Sequence, residues 1–110
     1  MGISLYIGDE QVDLTSAYHF NLFLNWAAEQ GEYPHILDHS PVHGSYTLNE
    51  NESASLYRGS VQRLMNEVER LMKKDPPDDA KYILGEMLKG CRMALRQKRR
   101  ITMDDGAWDG

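Results

Sequence analysis

The first 57 residues contain no lysine and no arginine. They carry eight acids, from Asp9 to Glu52, whereas residues 58–100 hold all twelve basic residues and six acids. Asp104, Asp105 and Asp109 close the chain, and the formal net charge is −5. That total argues against a chain devoted to nucleic acid, while the separation makes the sequence a charge dipole along its length.

Other scarcities exclude more. A single cysteine, Cys91, rules out an internal disulfide and makes a reducing cytoplasm the expected compartment. Cys91 falls on an apolar helix face, which predicts a buried structural thiol in place of a nucleophile. No stretch approaches the roughly 18–20 apolar residues of a membrane-spanning helix, so no membrane association is expected. The opening Met1-Gly2-Ile3-Ser4-Leu5 lacks the charged start of a secretory signal, and Tyr6 departs from the myristoylation pattern. The chain has no GxSxG elbow, P-loop, dinucleotide fingerprint, HExxH or CxxC, so no catalytic residue is assigned and an enzyme is not the preferred reading.

What remains is ordinary globular composition: 110 residues, 41% hydrophobic and 26% charged. The length fits a single domain over residues 1–103, followed by a flexible acidic tail over 104–110 that contains Trp108.

Ile3, Leu5 and Ile7 alternate with Ser4 and Tyr6, and Val12 and Leu14 repeat the alternation after Gly8-Asp9-Glu10. This period of two predicts a β-hairpin. Thr15 or Ser16 then caps a helix running to about Gln30, with Gly31 beyond it. Tyr18, Phe20, Leu22, Phe23, Leu24, Trp26, Ala27 and Ala28 cover most of its circumference, which predicts a buried central helix. Pro34, Pro41 and Gly44 break residues 32–49 into an irregular stretch, with a brief strand near Ser45 to Leu48.

Capping signals at Asn49, Asn51 or Ser53 precede a stripe of Tyr57, Val61, Leu64, Met65, Val68, Leu71 and Met72. Asp75 reads as the cap of a further helix with Pro76 at its first position. The second stripe is Ala80, Ile83, Leu84, Met87, Leu88, Cys91, Ala94 and Leu95. Two such helices on a tight linker predict an antiparallel hairpin, each arm about 30–35 Å long, with Gly85 and Gly90 permitting close approach. Ile101 and Met103 alternate about Thr102 and predict a third strand beside the first hairpin. The expected class is α+β and predominantly helical.

Three groups of residues offer chemistry. His35, His39 and His43 are spaced four apart with Asp38 among them, a donor set suited to zinc or iron. Pro41 prevents one continuous helix through the set, so His43 would approach from a loop, with His19 as a further donor. Lys89, Arg92, Arg96, Lys98, Arg99 and Arg100 close the last helix and suit phosphates, although no aromatic residue interleaves with them for base stacking. The competing explanation is that they offset the helix dipole or face the acidic half.

The acidic half itself carries Glu32, Tyr33 and Tyr46, aromatic anchors among carboxylates. That combination suits docking to a basic protein, as in an inhibitor, immunity-type protein or adaptor. Protein binding is the preferred function, with metal-dependent activity and nucleic-acid binding as alternatives. Homo-oligomerisation, with the acidic half of one copy meeting the basic helix of another, is the competing arrangement.

Overall fold

A computed structural model of the chain describes residues 2–30, 43–47 and 58–105. The elements run β1 (Gly2–Ile7), β2 (Glu10–Ser16), α1 (Ala17–Glu29), β3 (His43–Thr47), β4 (Arg58–Ser60), α2 (Val61–Met72), α3 (Asp78–Gln97) and β5 (Ile101–Asp105). The class is α+β, with more residues in helices than in strands.

The strands form one sheet in the order β2-β1-β5-β3-β4. All neighbours are antiparallel except β3 and β4, which run parallel. The two-residue turn Gly8-Asp9 joins β1 to β2, and Gly8 has φ of 60°. Glycine at the first central position is what a type II′ hairpin turn requires. Ile101 and Met103 return beside β1 as their alternation predicts, and Leu5 pairs with Met103. The strand continues through Asp105, two residues past the expected domain boundary, and residues 106–110 with Trp108 lie outside the described residues.

One sheet face carries the core. Ile3, Leu5, Ile7, Val12, Leu14, Ile101 and Met103 are buried with Phe20, Phe23 and Ala27 of α1, Val61, Leu64, Val68 and Leu71 of α2, and the α3 stripe from Ala80 to Ala94. Leu95, expected in the core, is only partly buried at its margin.

Four expectations need correction. First, α1 is buried on one side only: Tyr18 and Leu22 are 68% and 48% exposed. Among the described residues, the sheet face and α3 offer it one surface, which its excess apolar residues do not reach. Second, α2 begins at Val61, because Arg58–Ser60 pair with Ser45–Thr47 as β4, while Tyr57 and the caps before it lie outside the described residues. Its 12 residues span about 18 Å, against about 30 Å for the 20 residues of α3. Third, Asp75 is not a helix cap but turns the chain at φ of 54°. A proline disfavours helical geometry in the residue before it, so Pro77 bars Pro76 from serving as the first helical residue after an Asp75 cap. Pro77 becomes the cap, with no side-chain bond, and Asp78 and Asp79 supply the acids of the first turn. Fourth, the glycines differ: only Gly90 is closely approached, and by the sheet, since a Cβ there would meet Leu5 while one at Gly85 would meet nothing within 4 Å.

Candidate functional site

The residues that α1 leaves uncovered gather at one place. Ser16 caps the helix, accepting the His19 amide at 3.2 Å, and its Oγ lies 2.8 Å from His19 Nδ1. This reciprocal local pairing fixes the imidazole at the start of the helix. Just before it, the register of β1 against β2 shifts by one residue between Ile3 and Ser4. Such a shift re-aims side chains. Here Thr15 pairs with Ile3 and borders a recess shared with His19, Asp79, Tyr82 and Ile83.

The adjoining cleft lies between α1 and the start of α3, has a volume of about 130 Å³, and is walled by His19, Leu22, Phe23, Trp26, Pro77, Asp79, Ala80 and Ile83. That volume is close to the roughly 150 Å³ that accommodates benzene, so one ring or branched aliphatic side chain fits. Phe23 stacks on Trp26 with ring centroids 6.3 Å apart, giving the cleft a firm aromatic wall. Leu22 is exposed on this cleft, the 58% exposed Tyr82 borders the recess beside it, and Tyr18 packs edge-on against His19. Among the described residues, Asp79 is the one carboxylate that lines the cleft.

No protein-family model, curated protein or solved structure matches the chain. Function therefore has to be argued from the side chains.

Glu32, Tyr33, His35, Asp38 and His39 lie outside the described residues. His43 and Tyr46 fall on β3, where the backbone pairs His43 with Asp104 and Tyr46 with Ile101 and Gly59. Among the described residues, no three His, Cys, Asp or Glu side chains group as metal ligands, and no helix is long and apolar enough to cross a membrane. His19, considered as a further metal donor, pairs through Nδ1 with Ser16.

Cys91 is fully buried, and burial, with a smaller contribution from Glu69, pushes its thiol up to about 12. It is a packing residue, not a nucleophile. Lys89, Arg92, Arg96, Lys98, Arg99 and Arg100 are all exposed at the opposite end of α3 from the cleft.

The cleft was not legible as a site in the sequence. Leu22 and Trp26 read as core in the sequence, and Tyr82 lies off the α3 stripe. The available signal was an apolar arc on α1 wider than one buried face can absorb, together with an aromatic residue, Tyr82, off the α3 stripe.

Proposed function

We propose that this chain is a small cytosolic protein-binding module, of the inhibitor, immunity or adaptor kind, that docks a basic partner protein on the cleft between α1 and α3. The observation that carries the reading is the exposed Leu22 on a cleft walled by Phe23 and Trp26, with the exposed Tyr82 on the recess that adjoins it. Large apolar side chains grouped in water gain about 1.5–3 kcal/mol each on full burial, and a grouped exposed patch is a common mark of a partner site. Aromatic anchors at a pocket are the usual source of binding energy. The charge of the partner follows from Asp78 and Asp79 at the start of α3 and from an α1 that has no basic residue. Carboxylates at the rim would speed encounter with a cationic surface and orient it.

The test uses the full chain immobilised in a native lysate, with Leu22→Asp and Arg92→Glu chains in parallel. A partner retained by wild type and Arg92→Glu but lost by Leu22→Asp, and confirmed as basic by mass spectrometry, supports the reading. Equal capture by all three chains, or none by any, overturns it. Sedimentation at low and high salt separates the self-association alternative, which requires an oligomer that dissociates as ionic strength rises.

A further inference from the structure

The basic end of α3 is unabsorbed by this reading. Lys89, Arg92 and Arg96 stand at i, i+3 and i+7, which places them along one side of the helix. Lys98, Arg99 and Arg100 follow at once in the turn to β5, and all six are exposed. Lys89 meets Glu86 at 4.0 Å, the limit of an ion pair. Among the described residues, no hydrogen bond or ion pair engages the side chains of Arg92, Arg96, Lys98, Arg99 or Arg100. Arg99 lies across Gly8 of the β1–β2 turn, yet the neighbouring Asp9 and Glu10, also exposed, do not pair with it. Among the described residues, the cations beyond Lys89 are therefore not consumed by the protein's own acids.

We infer that this surface binds the phosphate backbone of a nucleic-acid duplex without reading its sequence. Four features select that ligand. Four of the six cations are arginines, whose planar guanidinium matches phosphate oxygens in pairs. Among the described residues, no large exposed apolar side chain lies among them to form the dry centre that a protein interface needs, whereas backbone binding needs only released counterions. A lipid surface is disfavoured because the apolar face of α3, from Ile83 and Leu84 to Cys91 and Ala94, is already spent in the core and cannot enter a bilayer. Single strands are disfavoured because no aromatic residue interleaves with the cations along residues 89–100.

The carboxylate of the cleft does not oppose this. Asp79 and Arg96 are seventeen residues apart on one helix, about 26 Å at 1.5 Å per residue. That distance is some three times the screening length of about 8 Å at physiological salt.

The experiment is fluorescence anisotropy with full-length protein and a labelled random-sequence DNA duplex. Parallel arms use duplex RNA, single-stranded DNA and anionic phosphatidylserine vesicles. Binding at low salt should weaken with a log–log slope of about −3 to −5, as expected for a few neutralised phosphates. Arg92→Glu with Arg96→Glu should reduce affinity at least tenfold, whereas Lys73→Glu with Lys74→Glu, the same change of charge on the exposed linker, should alter it by less than threefold. Unchanged melting curves show that both variants are folded. A difference between the two duplex arms identifies which nucleic acid is bound and leaves the inference standing. No duplex binding at low salt, equal losses from both pairs of substitutions, or tighter binding to single strands or vesicles overturns it.

Discussion

Gly90 of α3 stands so close to β1 that a Cβ built on it would lie 2.8 Å from Cδ1 of Leu5. Leu5 is fully buried, so its methyl has little room to retreat. At Gly85, one and a half turns earlier, a Cβ would meet nothing within 4 Å. Alanine at either site gains about 1 kcal/mol of helix propensity. At Gly90 that gain is offset by overpacking of about 1–3 kcal/mol. Urea denaturation should therefore find Gly90→Ala less stable than Gly85→Ala by that margin. Equal stabilisation by both would show that α3 does not depend on this close approach.

Lys98 ends α3 in the left-handed conformation, with φ of 57° and ψ of 47°. The amides of Lys98 and Arg99 both reach the Ala94 carbonyl, the latter at 3.0 Å. This is the bonding pattern of a glycine-terminated helix, built on a lysine. The left-handed conformation costs a side-chain-bearing residue roughly 1–2 kcal/mol. Lys98→Gly should recover about 1 kcal/mol and raise Tm by about 4 °C in a calorimetric scan. A lowered Tm would mean that the terminus is held by something other than this turn.

Ser4 Oγ and Gln11 Nε2 both donate to Asp13 Oδ1, at 2.8 and 2.7 Å. These bonds, that of Ser4 foremost, hold the Asp13 carboxyl below its ordinary value. A lowered folded-state value means that the protein is stabilised above the ordinary carboxylate range, near about 3.9, and loses that stabilisation as pH falls through the lowered value. In a carbon-13 NMR titration of the carboxyl, Ser4→Ala should move Asp13 back upward. An unmoved titration would show that Ser4 does not tune it.

Cys91 should be inert in the native protein. Its thiol is raised to about 12 and its side chain is fully buried, so almost no accessible thiolate exists at pH 8. A chromogenic disulfide reagent should react with one thiol per chain in guanidinium and with none over the same interval in buffer. Rapid native labelling would place Cys91 in a region that opens readily.

The parts of this fold that local periodicity specifies were legible from residues alone. Ile101 and Met103 alternate, and the strand lies beside β1 as expected. The apolar stripe from Ala80 to Ala94 is continuous, and α3 buries it. Periodicity does not say how many surfaces the fold will offer. Tyr18, Phe20, Leu22 and Phe23 look equally suited to a core, but only Phe20 and Phe23 find one. The α1–α3 cleft was hidden for the same reason, since its walls come from residues some fifty positions apart. Consecutive prolines likewise override a capping pattern that Asp75 would otherwise satisfy.

The contrast within α1 separates a residue kept for folding from one available for binding. Phe20 is 1% exposed and packs against Phe23 with centroids 5.6 Å apart. Phe20→Ala should cost about 3–5 kcal/mol, through lost burial and the cavity left behind. Leu22, two residues on, is 48% exposed and borders the cleft. Leu22→Gln keeps the length of the side chain and removes its apolar end, so it should cost about 1 kcal/mol or less. Denaturant titration of the two variants checks this ordering directly. If the cleft is a docking surface, the ordering reverses for partner capture: Leu22→Gln should fail to hold the partner while retaining the fold. Comparable losses of stability would instead mean that Leu22 is covered in solution and belongs to the core, and the exposed rim would then offer no surface for a partner.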